Sequence, residues 1–199
     1  NAALFHALAN ARQVWCVFVF DRDILQALPS RRNRRVEFIW HSLVQLDAVL
    51  REHGGGLMVK HGRAEEEIPA LTLALQIDAV FANRDYEPAA MARDARVAAS
   101  LRAQGRTFED FKDQVIFERD EVLTQDGRPF SVFTPYKNAW LKRLDDFYMR
   151  SYPVHKYYER LAPAPDAALP SLEAIGFAPT NLRELKIEPG MAGARKLFE

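Results

Sequence analysis

The chain has little cysteine, no excess of charge of either sign and no long hydrophobic run. Cys16 is its single cysteine, which excludes a disulfide framework or a site built from several thiolates and is typical of a protein of the reducing cytosol. Basic and acidic residues balance at 27 each, so no overall charge attracts this chain to nucleic acid. No uncharged stretch is long enough for a membrane span. Hydrophobic residues make up 48% of the sequence, which is enough to build a globular core.

The sequence also lacks the short motifs that carry common chemistries. The glycines at 54–56 follow a predicted helix and precede a predicted strand, whereas a dinucleotide-binding glycine motif follows a strand and opens a helix. They are therefore predicted to end the helix and to form a turn. No phosphate-binding GKS/T loop, nucleophile elbow or HExxH sequence occurs. Glu37 and His41 have a spacing that metal ligands can have, but no third ligand accompanies them, which favours an ordinary exposed pair.

Short apolar runs alternate with amphipathic helical patterns over the first half of the chain. Residues 14–20 (VWCVFVF) are continuously apolar, as expected for a parallel strand covered on both faces. Further strands are predicted at 57–60, 79–82 and 107–112. The predicted fold class is α/β, with a doubly wound, mostly parallel sheet. Because the chain starts with a predicted helix over 2–12, capped by Asn1, we expect a strand to precede that helix.

The strand predicted at 79–82 ends in a loop with dense polar chemistry. The loop contains Asn83, Arg84, Asp85, Tyr86 and Glu87. Ligands of open α/β sheets bind where such loops leave the carboxyl ends of the strands, so we interpret this loop as the wall of a ligand pocket. The alternative, acids placed at a helix N-terminus because of its dipole, accounts for Asp85 and Glu87 alone.

Two other positions could face the same crevice. Asp21 directly follows the first apolar run, and its carboxylate either binds a ligand or pairs with Arg22 or Arg32. Residues 30–35 (SRRNRR) place four arginines at the N-terminus of a long predicted helix, where they oppose the helix dipole. Such a run either binds an anionic or electron-rich ligand or is a solvated face. Arg35 is its strongest candidate, because it lies nearest the apolar face of the helix.

The pattern changes after residue 112. Residues 115–123 predict short extended pieces, and residues 130–144 predict an aromatic, basic amphipathic helix with Thr134 as its N-cap. That helix either packs on the sheet edge or forms an interface with something larger. Residues 148–188 are rich in Pro, Ala and Tyr without a sustained period, which predicts an extended inter-domain linker. A further helix begins in 189–199, so we expect a second domain to follow.

Three segments carry a resemblance to a known family. They are FANRDYEP at 81–88, FKDQVIFERDEVLTQDGRPFSVFTPYKNAWLKRL at 111–144 and EPGMAGARKLF at 188–198. These segments resemble the N-terminal antenna domain of the class I photolyase and cryptochrome family, most closely its bacterial DNA-repairing members. The resemblance implies a Rossmann-like α/β domain over 1–147, a linker over 148–188 and, in 189–199, the first helix of a helical FAD-binding domain.

The resemblance also implies what the whole protein does. In this family, light-excited reduced FAD passes an electron to a cyclobutane pyrimidine dimer in damaged DNA, which splits and returns the electron. Family members have a strand and an Arg-rich loop before the position of Asn1, and the FAD domain after the position of Glu199. We therefore expect a DNA-repair lyase, monomeric when full length, of which residues 1–199 alone are inactive. A cryptochrome-type photoreceptor without repair activity is the alternative, and a stand-alone nucleotide-binding domain is a third reading.

The resemblance also implies the type of antenna chromophore, from individual residues of this sequence. Folate-binding members carry an Asn-Glu pair where this chain has Ala89 and Ala90, which disfavours folate. Members that bind a deazaflavin or flavin-type antenna use residues that match Phe18, Asp21, Arg35, Asp85 and Glu87. A planar heteroaromatic ligand with imide edges suits an aromatic wall, carboxylate acceptors and a guanidinium donor. We expect such an antenna at these five residues, with an unfilled pocket as the alternative, and neither a metal nor a catalytic residue in this chain.

Overall fold

Four strands form two separate parallel pairs in the computed structural model, which describes residues 1–163 and 168–199. The strands are β1 (Cys16–Asp21), β2 (Leu57–Gly62), β3 (Ala79–Asn83) and β4 (Thr107–Phe111). β1 pairs with β2, and β3 pairs with β4. Residues 164–167, which fall within the predicted linker, lie outside the described residues.

Helices connect the strands in regular alternation. They are α1 (Ala2–Asn10), α2 (Arg22–Gln26), α3 (Arg34–Glu52), α4 (Ala64–Ala74) and α5 (Pro88–Ala103). From β1, the connection through α3 leads outward to β2. The connections through α4 to β3 and through α5 to β4 lead in the opposite direction across the fold. Because such crossovers are right-handed, α3 covers one face and α4 and α5 cover the opposite face, where they pack against each other. The predicted doubly wound α/β fold is thereby confirmed.

Local sequence signals set the helix ends. The Asn1 side chain accepts a hydrogen bond from the Leu4 amide at 2.9 Å, which is the predicted N-cap of α1. At the end of α3, Gly54 adopts a left-handed conformation with φ of +79°, which favours glycine because it has no Cβ. The glycines at 54–56 therefore end a helix and form a turn, as predicted.

The main hydrophobic core lies on the β1–β2 pair. Its fully buried members are Leu8, Phe20, Leu25, Val36, Leu43, Leu50, Leu57, Leu161, Leu172, Ile175 and Phe177. The last three come from an irregular segment, residues 168–189, which we call the strap. The strap is also tied to α3 by hydrogen bonds, from the Trp40 indole to the Pro170 carbonyl and from the Gln45 amide to the Pro189 carbonyl, each at 2.8 Å. Apolar burial thus includes a segment that has no helical or strand periodicity.

The β3–β4 pair is much less buried. All five residues of β3 are half-buried, and three of the five in β4 are exposed. Beyond β4 the chain forms a 3-10 turn, Arg119–Glu121, and two helices, α6 (Phe133–Arg143) and α7 (Asp146–Met149). This part of the molecule relies on few fully buried side chains.

Two details of this region differ from the sequence-based expectations. Residues 115–123 contain the 3-10 turn instead of extended pieces, because Glu118 and Glu121 form a reciprocal capping box there. Helix α6 begins at Phe133, with Val132 as its N-cap, so Thr134 is not the cap. Pro135 is nevertheless accommodated, because the first N–H groups of a helix have no partner within it.

Beyond the strap, the chain ends in helix α8 (Gly190–Phe198). Its Met191, Leu197 and Phe198 side chains are exposed. No helix within residues 1–163 and 168–199 has both the length and the apolarity to cross a membrane.

A slit separates the two strand pairs. It has a volume of about 1,090 Å³ and is bounded by β1 on one side, by β3 on the other and by residues of α1, α3, α4 and α5 above and below. In the described part of the chain β1 pairs only with β2 and β3 only with β4, so each strand has one edge along the slit. The two pairs belong to one layered fold but do not contact each other as a continuous sheet.

Candidate functional site

Asp21, the last residue of β1, holds the first turns of two helices. Its side chain is 7% exposed and lies at the wall of the slit. One carboxylate oxygen accepts from the Asp23 amide at 3.0 Å, and the other accepts from the Ala64 amide at 3.3 Å. The carboxylate therefore caps α2 and ties it to α4. An ion pair of Asp21 with Arg22 or Arg32, the alternative left open by the sequence, is absent from the described residues.

Phe18 lies on β1 but faces away from the slit. Its ring meets Phe20 edge-on, with centroids 5.0 Å apart, and it packs half-buried against the main core. Phe18 can thus offer one edge of an aromatic wall, on the side of the sheet that α3 covers.

Arg35 lies in the first turn of α3 and is exposed. It lines a polar groove of about 480 Å³ together with Arg32, Asn33, Arg34, Thr180 and Asn181. Arg34 is held there by a 3.0 Å hydrogen bond to the Asn181 side chain. No hydrogen bond or ion pair to the Arg35 guanidinium is found in the described residues. Its donors are therefore available to a ligand.

Asp85 and Glu87 lie in the loop between β3 and α5. One Asp85 oxygen accepts from the Tyr86 amide at 2.6 Å and from the Glu87 amide at 3.1 Å, so this carboxylate organises the loop just ahead of α5. Glu87 is the exposed N-cap residue of α5 and makes no side-chain capping bond. Among the described residues, Asp85 thus bonds no amide of α5 itself, and the Glu87 carboxylate remains free.

The sequence did not reveal the polar network that holds this loop. Arg84 binds Asp110 at 2.6 Å and also pairs with Glu118, whose second oxygen accepts from the Tyr86 hydroxyl at 2.6 Å. The hydrogen bond from Arg84 keeps the pKa of Asp110 below its usual value. Removal from water and the bond to Glu118 raise the pKa of Tyr86 to about 12. Since Glu118 is more than thirty positions from Arg84 in the chain, no local pattern could have paired them.

The pair with metal-like spacing has a structural role. Glu37 is 4% exposed and accepts from the Thr180 amide at 2.8 Å and from the Thr180 hydroxyl, while His41 is 4.0 Å away. Glu37 therefore anchors the strap to α3. No group of three or more metal-ligating side chains occurs within the described residues.

The five predicted residues divide between the two strand pairs. Phe18, Asp21 and Arg35 belong to the β1–β2 half, and Asp85 and Glu87 to the β3–β4 half. The carboxyl ends of parallel strands form the ligand crevice of open α/β folds. Asp21 and Asn83, at these ends of β1 and β3, both line the slit. Among the five predicted residues, Asp21 alone lines the slit in the described part of the chain, whereas Arg35 lines the separate groove beside Thr180 and Asn181. The structure thus does not bring all five side chains around one cavity, although carboxylates, a guanidinium and an aromatic ring are groups that recognise a planar polar ligand.

Comparisons with known proteins agree on one family. The model of the DNA photolyase family matches residues 1–162. A deoxyribodipyrimidine photo-lyase of Synechococcus is 32% identical over 140 residues, which cover 70% of this chain and 29% of that protein. The crystal structure of a class III photolyase from Agrobacterium tumefaciens superimposes with a TM-score of 0.78 at 26% identity, over 98% of this chain and 40% of that one. The chain thus spans about a third of the length of these relatives.

A second solved structure bears on the ligand. It is an archaeal photolyase from Sulfolobus tokodaii, with a TM-score of 0.58 and 27% identity over 69% of this chain and 30% of that one. That protein contains two FAD molecules and was described as implying a novel light-harvesting cofactor.

Proposed function

The chain belongs to the DNA photolyase family, and on that premise we propose that it is the light-harvesting antenna domain of a deoxyribodipyrimidine photo-lyase. The whole protein would repair cyclobutane pyrimidine dimers in DNA by light-driven electron transfer from reduced FAD. The observation that carries the proposal is the family match over residues 1–162, which coincides with the α/β layers and the strand-end crevice. Damaged DNA and FAD would be bound by other parts of the protein, since this chain aligns with only 29% of the length of the Synechococcus relative.

We propose a deazaflavin- or flavin-type antenna chromophore, held by Phe18, Asp21, Arg35, Asp85 and Glu87. When bound, such a group absorbs light and passes the excitation energy to the FAD that performs repair. The free guanidinium of Arg35 and the free carboxylate of Glu87 fit the oxygen and imide edges of such a ring system. Asp21 would act mainly by fixing the helix starts that shape the crevice, and Asp85 would face the ligand from the loop ahead of α5. The second FAD of the Sulfolobus tokodaii protein supports a flavin in this role.

The slit supports the proposed domain organisation. The slit is bounded by β1 and β3, each of which has one edge without a strand partner in the described part of the chain. A further strand would satisfy the backbone N–H and C=O groups along both edges. The amide of Ala3 bonds the Asn83 side chain at 2.9 Å, so α1 starts at the carboxyl ends of the strands. We propose that a strand ahead of α1 fills the slit and joins the two pairs into one sheet.

The remaining boundaries follow the same proposal. Residues 1–147 would form the antenna domain, 148–188 the connection and 189–199 the first helix of a FAD-binding helical domain. The exposed apolar side chains of α8 suit such a continuation, because they lack a partner within the described residues.

Variants of the full-length protein test this function. Arg35→Ala should reduce the chromophore content of the α/β domain, because it removes a donor that the fold itself does not use. Repair driven by light absorbed directly by reduced FAD should stay unchanged. Arg183→Ala, which removes an exposed arginine of the strap, is the matched control. If Arg35→Ala abolished FAD-driven repair while the chromophore stayed bound, Arg35 would not have the proposed role. If the parent protein repaired no dimer under any light with its flavin reduced, a cryptochrome-type light receptor would replace the proposed enzyme.

A further inference from the structure

The polar contacts around the β3 loop, residues 84–87, converge on a side chain outside the five predicted residues. We infer that Glu118 is a positioning residue, which fixes the β3 loop so that Asp85 and Glu87 are presented in one arrangement to the antenna ligand. The inference rests on the proposed function for its ligand, but the loop contacts that carry it do not depend on any ligand.

Both carboxylate oxygens of Glu118 are used by the β3 loop. Oε1 pairs with the Arg84 guanidinium, and Oε2 accepts from the Tyr86 hydroxyl at 2.6 Å. The Glu118 side chain is only 15% exposed, and that of Arg84 is 26% exposed. Charge-assisted hydrogen bonds with little water around them are stronger than surface pairs. Glu118 therefore binds Arg84 and Tyr86, the residues immediately before and after Asp85.

Glu118 is itself held in place from the opposite side. Its amide donates to the Glu121 carboxylate at 2.6 Å, and the Lys112 ammonium binds the same carboxylate at 2.7 Å. Lys112 directly follows β4, so a continuous series of contacts leads from the sheet through Glu121 and Glu118 to the β3 loop. Because Glu118 is connected to the sheet in this way, its contacts can restrict the motion of the β3 loop relative to the sheet.

Neither of the two carboxylates proposed to face the ligand connects the loop to the sheet. Among the described residues, Asp85 accepts only from amides of its own loop, and Glu87 makes no side-chain capping bond. Besides Glu118, the loop is joined to β4 through Arg84, by its amide to the Phe111 carbonyl and by its guanidinium to Asp110. These contacts fix the Arg84 end, whereas Tyr86, on the Glu87 side, has only Glu118 as its side-chain hydrogen-bond partner among the described residues.

Glu118→Gln in the full-length protein is the decisive variant. The glutamine amide keeps the shape and one acceptor oxygen, but it cannot bind Arg84 and Tyr86 together as an anion. Amide hydrogen exchange in peptides covering 84–91 should become about tenfold faster, as expected for the loss of one charged hydrogen bond. The Kd for added FMN, FAD or 5-deazaflavin should rise by a similar factor of about ten. Asp120→Asn is the matched control, because it removes the same charge from an exposed position in the same turn.

A spectroscopic readout separates positioning from a general loss of stability. Tyr86 faces Glu118, Arg84 and Arg119, and its pKa of about 12 owes part of its rise to the Glu118 bond. In Glu118→Gln the Tyr86 pKa should fall, whereas in Asp120→Asn it should stay near the parent value. Carbon-13 NMR of labelled tyrosine gives this pKa, with Tyr86→Phe to assign the signal.

The outcomes distinguish the inference from the proposed function. Faster loop exchange, a lower Tyr86 pKa and weaker chromophore binding support Glu118 as the positioning residue. Unchanged loop exchange in Glu118→Gln would overturn it, and so would faster exchange with an unchanged Kd for the chromophore. If the parent protein bound none of the three chromophores, the proposed function would fail, while loop exchange and the Tyr86 pKa would still decide whether Glu118 fixes the loop.

Discussion

The two strand pairs share one topology but are stabilised by different interactions. Every strand residue of the main core belongs to β1 or β2, which are covered by α3 and the strap. The β3–β4 half has no fully buried strand residue, and its loops are joined by charged pairs such as Arg84–Asp110 and Lys112–Glu121. The strands of the β1–β2 half thus bury apolar side chains directly, whereas β3 and β4 are less buried and the apolar burial of their half comes from other elements, such as Val97 and Leu101 of α5.

This difference predicts that the two halves depend differently on solution conditions. Burial of apolar side chains depends little on pH, whereas exposed ion pairs weaken with both acid and salt. The β1–β2 half carries Phe18 and Asp21 on a strand with a buried end. The β3–β4 half carries Asp85 and Glu87 on a loop whose position depends on Arg84 and Glu118. We therefore expect the two sides of the crevice to respond differently to the same perturbation.

The largest effect is expected from a cavity in the β1–β2 half. Leu50 is 5% exposed and belongs to the main core. Leu50→Ala should lower the free energy of opening of the β1–β2 amides by about 2–5 kcal/mol, as measured by hydrogen exchange in the full-length protein. Leu73→Ala, at a position in α4 that is 54% exposed, should change it by less than about 0.5 kcal/mol. An equal effect of the two variants would show that burial does not stabilise this half.

An intermediate effect is expected where a polar contact serves the buried half. Glu37→Ala removes a buried carboxylate and leaves the half-buried Thr180 amide and hydroxyl without their acceptor. The substitution should lower the free energy of local opening at strap residues 178–182 by about 1–3 kcal/mol. Glu52→Ala, in the last turn of α3, is the exposed control. If Glu37→Ala lowered the opening free energy of β1 and β2 as much as Leu50→Ala does, polar contacts would stabilise the β1–β2 half as strongly as apolar burial. That outcome would contradict the proposed difference between the two halves.

The smallest effect is expected from acid acting on the Arg84–Asp110 pair of the β3–β4 half. Arg84 keeps the folded-state pKa of Asp110 below its ordinary value, so this pair stabilises the fold above the ordinary carboxyl pKa of about 4. That contribution is lost as the pH falls through the lower folded-state value. Nitrogen-15 NMR of the indoles should show the Trp140 signal changing at higher pH than the Trp40 signal, because Trp140 packs on Phe117 beside the charged network.

The reverse order of the indole signals would contradict the assignment of polar stabilisation to the β3–β4 half. High salt at neutral pH supplies an independent check. Screening at about 1 M salt should speed amide exchange in residues 110–121 more than in β1 or β2.

The alternation of strands and helices could be predicted from the sequence because each element carries its own signal. The continuous apolar run at β1, the Asn1 cap and the left-handed Gly54 all depend on residues close together in the chain. The strap could not be predicted. Leu172, Ile175 and Phe177 have no helical or strand period, yet the irregular backbone places all three in the core.

The candidate site was less predictable than the fold. The polar loop after β3 was visible in the sequence, but its partner Glu118 lies in a turn that only the folded chain brings near. Asp21 was identified as a polar residue at a strand end, while its role in capping α2 and binding the Ala64 amide depends on how the helices return to the sheet. The ligand-binding roles of Phe18, Asp21, Arg35, Asp85 and Glu87 all stay predictions, since they need a ligand.

An action spectrum of the full-length protein tests most directly whether this domain harvests light for a repair enzyme, as proposed. Repair of cyclobutane dimers should be measured against wavelength for the parent protein and for Arg35→Ala. We expect an absorption band beyond that of FAD which drives repair in the parent and is reduced in Arg35→Ala, with FAD-driven repair unchanged. A parent action spectrum that follows FAD alone would contradict the proposed antenna function.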